Sequence, residues 1–337
     1  MRTEAGRTRP SGAVVVALVL LCVCGMPHAW SRDGGRIVFG AVSAGDATHA
    51  RRLFVTTPKG AGFEELKAGQ PWGNEPAWSN DGRFVAFSHS PERLECRIYV
   101  MDADGGNLRR ISNAPFPYGD SYPSWSPRGD AIAFASAREG RGREGVYVSD
   151  IDGGEEVRIT GLDTSVMWSN WRPVGDAIVY ASTKAGTMDI HIMDGRGSHL
   201  AQLTDDRRWD MTPSWHPRGE AIAFASVGEA DVTGDIYTID ADGSNRRRIT
   251  KHPADESDPC WSPDATQILF ESNRDGRQGL FIMDLEGRRI VRRVTDGRFD
   301  YIEGSDWYDP RFPRSVSPIG RHAAMWGWIK QLGPPAP

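Results

Sequence analysis

The chain is short of cysteine, of histidine in any mutual pattern and of long apolar runs, and each shortage removes a class of protein. Only four cysteines occur in 337 residues. Cys22 and Cys24 lie close together near the N-terminus, whereas Cys96 and Cys260 are far apart, so no disulfide is expected and stability must come from a packed core. Among His49, His89, His191, His199, His216, His252 and His322 there is no pair two or four residues apart, the spacing that brings two imidazoles onto one zinc ion. A serine nucleophile elbow is missing too. The nearest approach to Gly-x-Ser-x-Gly is Gly119, Asp120, Ser121, Tyr122, Pro123, which ends in proline.

The longest apolar run, Ala13 to Val23, is shorter than the ~20 residues a membrane-crossing helix needs. Arg2, Arg7 and Arg9 precede it, and Gly25, Pro27 and Ala29 follow, which is the layout of a secretory signal peptide. Residues 1–31 are expected to be removed after Ala29 or Ser31, leaving no transmembrane anchor and a periplasmic or secreted product. Lipidation at Cys22 or Cys24 is not expected, because Leu21 and Val23 stand where a small residue is wanted. Cleavage at Ser31 removes three arginines and one glutamate, taking the formal net charge from −5 to −7. An acidic product disfavours nucleic acid as a partner, since phosphate neutralisation needs clustered Lys and Arg.

What the chain does have is a repeated tryptophan. Trp78, Trp125, Trp171, Trp215, Trp261 and Trp307 follow one another at intervals of 47, 46, 44, 46 and 46 residues. A period of roughly 40 to 50 residues marks a β-propeller, whose four-stranded blades bury their faces only by stacking. Around Trp125, a Pro/Gly turn (Pro127, Gly129) leads into Ile132, Phe134 and Ser136 in alternation with alanines, and then Val146, Tyr147 and Val148 reach Asp150, Asp152 and Gly153. Alternation on either side of turns reads as hairpins. The order returns around Trp78, Trp215 and Trp261, and more loosely around Trp171, where Ser169 replaces the proline found before Trp78, Trp125, Trp215 and Trp261. The Asp-x-Asp-Gly runs at Asp102, Asp150 and Asp240 lack the later ligands of a calcium loop and are expected to be tight turns.

Trp307 lacks the strands that should follow it, and those strands occur at the other end, at Ile37 to Phe39 and Leu53 to Val55. The expected fold is therefore all-β, a six-bladed propeller over residues 36–310. Its last blade is closed by pairing the C-terminal strand with N-terminal ones, which leaves no free edges.

The pattern Pro-x-Trp-Ser, Gly82 or Gly129, an Ile/Val-x-Phe strand and then Ile98-Tyr99-Val100-Met101-Asp102-Ala103-Asp104-Gly105 resembles the propeller repeat of the TolB family. The resemblance covers about Arg36 to Pro310 and rests on five repeats of the whole motif. TolB proteins carry a separate α/β domain ahead of the propeller, whereas about 35 residues stand there in this sequence. The resemblance implies a non-enzymatic module of the cell envelope that binds proteins of the Tol-Pal system, a Pal-like lipoprotein among them. Propellers of similar repeat also precede the catalytic domain of prolyl-oligopeptidase-type peptidases, a domain for which no room is expected here. Others are uronate lyases that hold a metal with histidines, so the alternative function is a channel-mouth enzyme or carbohydrate binder.

The six tryptophans are expected to be structural spacers between blades. The candidate binding residues lie in the loops and strand starts just before them: Glu75, Asp120, Tyr122, Asp163, Trp168, Trp209, Asp210, Glu256, Asp258, Asp300 and Glu303. Six-fold geometry is expected to bring them together at one mouth of the central channel. Carboxylates that converge need a cation, a basic segment or water between them, and aromatic rings beside them suit a protein interface. No cofactor is expected beyond a cation in that channel. Beyond Pro310, Gly320 to Leu332 is expected to form a short apolar helix folded back on the ring.

Overall fold

The computed structural model describes residues 35–67, 73–90, 96–162, 165–183, 187–198, 200–229 and 231–314. The expected leader, Asp163 and the helix expected within 320–332 lie outside these residues.

Six antiparallel sheets of four strands each make up the described chain. Blade one runs Gly73–Trp78, Phe84–His89, Arg97–Asp102 and Arg109–Arg110. The first strand of every blade ends at or next to the repeated tryptophan: Asp120–Trp125, Val166–Trp171, Trp209–Trp215, Glu256–Trp261 and Phe299–Tyr308. These first strands contact one another in a closed cycle, so they line the central channel. The last of them pairs with Arg36–Ser43, placing Ile37 opposite Trp307, and Arg51–Thr56 and Glu64–Glu65 complete that blade. The joint expected from sequence is thus present, and the ring has six blades.

The core lies between blades. Ile98, Val100 and Ile111 of blade one pack against Trp125, Ile132 and Phe134 of blade two, and the same arrangement recurs around the ring. All six repeated tryptophans are buried. Full burial of a large apolar side chain stabilises by about 1.5–3 kcal/mol, and the two described cysteines, Cys96 and Cys260, are free. Three of the indoles also donate Nε1–H to the preceding blade: Trp125 to Ala77 O at 3.0 Å, Trp215 to Asn170 O at 3.2 Å and Trp261 to Ser214 O at 3.3 Å.

Two local devices repeat with the blades. The outer strands are only two residues long in five of the six blades, and just past them a hydroxyl completes the ladder. Ser112, Thr160, Thr204, Thr250 and Thr295 each accept the N–H at or next to the start of a third strand, at 2.8 to 3.0 Å. The Asp-x-Asp-Gly runs form turns: Asp150 Oδ1 accepts the N–H groups of Asp152 and Gly154, and Gly153 takes a φ of 77°.

Candidate functional site at the central channel

Each first strand carries a bulge three residues before its tryptophan. The residues there are Glu75, Tyr122, Trp168, Thr212, Asp258 and Gly304, and all have φ between 47° and 71°. Left-handed backbone is costly for a side-chain-bearing residue, so its recurrence in five non-glycine positions marks a conformation imposed by the fold. The local cause is legible. In four blades the next residue is proline (Pro76, Pro123, Pro213, Pro259), which has no N–H to give the ladder, and pairing with the neighbouring strand skips both residues.

These six positions line one cavity of about 140 Å³ on the ring axis, together with Trp78, Trp125, Trp171 and Trp215, and with Ser169, Ser305, Asp306 and Arg314. Sites for drug-sized ligands or sugars occupy about 300–1,000 Å³. A ligand of that size does not fit inside the channel. A single side chain or a few waters would.

The walls differ in chemistry. Blades two and three contribute the rings of Tyr122 and Trp168, whose centroids are 5.7 Å apart. Blades five and one contribute Asp258 and Glu75, and Glu303 of blade six stands beside the cavity and acts on both through its charge. Burial raises the Asp258 carboxyl to about 7, with Glu303 and Asp255 adding to the shift. Burial likewise lifts Glu75 to about 7, against hydrogen bonds from Ser88 Oγ at 2.5 Å and Tyr122 N at 2.9 Å. Glu303 is raised by burial even though Arg51 Nη1 is 3.2 Å from its Oε2. Burial also raises the Tyr122 phenol, and Glu75, Asp258 and Glu303 push it further.

One carboxylate of this group was not among the expected residues. Glu271, in the second strand of blade five, accepts the N–H of Gly304 at 2.9 Å and that of Gln278 Nε2 at 2.8 Å, and it is raised well above the usual range by burial and by Asp258. Glu271 follows Phe270 in the strand after Trp261, outside the loops and strand starts before each tryptophan that held the expected residues. Thr212 stands three residues before Trp215 but is neither acidic nor aromatic, and only its place as the fourth member of the bulge series brings it into the site.

The other expected carboxylates are placed differently. Asp120, Asp210 and Glu256 are fully buried and do not face the channel mouth as free acids. Arg138 Nη2 meets Asp120 Oδ1 at 3.1 Å, Arg246 Nη2 meets Asp210 Oδ1 at 2.9 Å, and Arg274 is bonded to Glu256. The same arginines stack on blade aromatics, Arg138 over Tyr147 at 4.1 Å and Arg246 over Tyr237 at 4.9 Å. Each arginine therefore ties the start of a first strand to its blade. The expectation that these three acids converge at the mouth is corrected accordingly: a buried carboxylate needs a countercharge, and arginines outside the tryptophan motif supply it. Asp300 is exposed and accepts the N–H of Gly45 at 3.0 Å, and Trp209 is 46% exposed at the start of its strand. Among the described residues, no group of three or more His, Cys, Asp or Glu side chains is arranged to hold a metal ion.

A family model described as the TolB beta propeller domain (PD40) matches residues 22–231 and 208–307. The chain belongs to that family. Among solved structures, TolB from Acinetobacter baumannii superposes on 81% of this TolB-type propeller and 66% of its own chain, with a TM-score of 0.68 and 22% identity. That likeness shows the fold. Two curated relatives align over shorter stretches: the uncharacterized peptidase YuxL of Bacillus subtilis is 24% identical over 60% of this chain, and the Tol-Pal system protein TolB of Francisella tularensis is 32% identical over 25% of it. The aligned stretches span only 29% and 19% of those relatives' own lengths.

Proposed function

We propose that this TolB-type propeller is an exported, non-enzymatic interaction module of the cell envelope, and that it receives a partner protein at the acidic and aromatic rim of its channel. The observation that carries the reading is the bulge ring, which turns Glu75, Tyr122, Trp168 and Asp258 toward one axis with Glu303 beside them. Two aromatic rings facing three poorly solvated carboxylates form a surface that gains from a basic side chain, because a cation relieves the repulsion and rests on the rings. Family membership supports protein binding as the role. The Tol-Pal designation of the Francisella relative points to a Pal-like lipoprotein as the partner to test first. The leader-like N-terminal sequence supports export, and among the described residues no helix is long and apolar enough to cross a membrane.

Crosslinking in intact cells followed by affinity capture tests the reading. Capture of one envelope protein by the native chain, lost on Asp258→Ala with Trp168→Ala, is the expected result. Equal capture by the doubly substituted chain would place the interface elsewhere on the ring.

A further inference from the structure

In five blades the outer strand stops after two residues: Glu64–Glu65, Arg109–Arg110, Val157–Arg158, Ala201–Gln202 and Arg247–Arg248. Blade five continues for five, Arg289–Arg293, paired on its inner side with Gly279–Asp284 and with no strand beyond it among the described residues. At about 3.4 Å per residue its outer edge offers roughly 17 Å of main chain, against roughly 7 Å in the other blades. An open strand edge is a row of N–H and C=O groups that can pair with another extended chain.

The side chains along this edge are basic. Arg288, Arg289 and Arg292 are exposed, while Arg293 turns back to Asp275, with Nη1 3.0 Å from Oδ2. The two acids of the hairpin lie at its turn: Glu286 is exposed there, and Asp284 accepts the N–H of Gly287 at 2.8 Å. Pairing joins Ile290 to Met283 and Arg292 to Ile282, so the strand bulges at Val291. Val291 is 42% exposed, and with Ile282, Pro58, Lys59, Gln267 and Arg292 it lines a groove of about 200 Å³ where blade five meets blade six. Arg292 Nη1 donates to the Lys59 main-chain oxygen at 3.2 Å across that groove.

Charged side chains on an edge guard it against its own kind. Two copies of this strand laid side by side would set arginine against arginine, and like charges directly opposite are destabilising. The same charges attract a segment rich in Asp and Glu. We infer that the outer edge of blade five docks an acidic, extended segment of a partner protein, which adds as a fifth strand. Its carboxylates would meet Arg288, Arg289 and Arg292, and one apolar side chain would enter the groove beside Val291. In this mode of recognition main-chain bonds supply affinity and the flanking side chains supply selectivity. The surface belongs to the outer strand, not to the channel-lining ones, so the inference stands apart from the function proposed for the rim.

The probe is a capped peptide of about seven residues, alternating glutamate with threonine around a central valine, titrated against the full chain. Binding with slowed hydrogen exchange in Arg289–Arg293 is the expected result. Two copies of the peptide are N-methylated at alternate residues, one on each edge, which keeps the charge and removes main-chain donors. One of the two should bind about ten-fold more weakly than the parent. Arg289→Glu with Arg292→Glu should weaken the parent peptide by at least about ten-fold, whereas Asp258→Ala with Trp168→Ala should bind it as the native chain does. Parent-like binding by both methylated copies would show charge attraction without strand addition and overturn the inference. Unchanged binding by the arginine variant, loss of binding in the rim variant, or no binding at all would overturn it too. So would a native chain that dimerises in sedimentation and becomes monomeric when the two arginines are reversed, since a second copy would then be the occupant.

Discussion

Asp306 Oδ2 accepts the main-chain N–H of Trp78 at 2.8 Å, a hydrogen bond across 228 residues that joins the closing strand to the first blade's tryptophan. The same carboxylate holds Arg314. Asp306→Ala leaves a part-buried guanidinium and a buried N–H without their partner, and breaking a buried pair costs about 3–5 kcal/mol. Urea unfolding should show that loss in the midpoint, with Asp306→Asn losing less because the Trp78 bond survives. A midpoint within error of the native value for the alanine variant would mean that the seam is held by strand pairing alone.

Arg138 should behave as a structural residue. Its removal leaves Asp120 charged and fully buried, and Arg138→Ala is expected to cost about 3–5 kcal/mol. The double variant with Asp120→Ala should lose less than the sum of the two single variants, since it removes the Asp120 charge that Arg138→Ala strands, while the loss of the Arg138 pair with Glu156 is common to Arg138→Ala and the double variant. Additive losses in the thermodynamic cycle would show that the pair is not coupled.

Asp258 should behave in the opposite way. Its carboxyl is raised from 3.8 to about 7 in the folded protein, so the native state holds a proton that the unfolded chain releases. The penalty this group places on stability is therefore absent below about pH 4, grows as pH rises toward 7, and is complete above that. Asp258→Asn removes the charge and should raise the thermal midpoint at pH 8 by a few degrees, with the gain shrinking as the pH falls and vanishing near pH 4. A pH-independent difference between the two proteins would show that Asp258 titrates normally.

Gly304 closes the bulge ring at a φ of 71°, and a Cβ added there would lie 2.8 Å from the Glu75 Cα. Contact that close with backbone cannot be relieved by turning a side chain. Gly304→Ala should destabilise by about 1–3 kcal/mol, from left-handed strain and the displaced neighbour together. The same substitution at Gly129, where nothing lies within 4 Å, bears only the strain of its φ of 70° and should cost less. Equal losses measured by calorimetry at the two sites would remove the crowding argument.

Much of the fold was legible because its signals are local. The indole spacing gave the number of blades, the alternating strands gave their order, and the orphaned Ile37–Phe39 strand gave the closure that appears as Ile37 opposite Trp307. The channel residues were legible in part. Glu75, Tyr122, Trp168 and Asp258 could be picked out as carboxylates and rings near a tryptophan, but so could Asp120, Asp210 and Glu256, and nothing in the motif separates the two groups.

What the sequence determined alone is the periodic framework: six blades, their tryptophan spacers and the shared last sheet follow from repeats and alternation that each segment carries within itself. Tertiary structure decided which acids are paired and which are not. Arg138 and Arg246 lie 18 and 36 residues from the acids they neutralise, and Arg314 reaches Asp306 only after the chain turns back under the ring. A carboxylate's charge depends on what the folded chain places within a few ångströms of it, and that distance is not written in the order of residues.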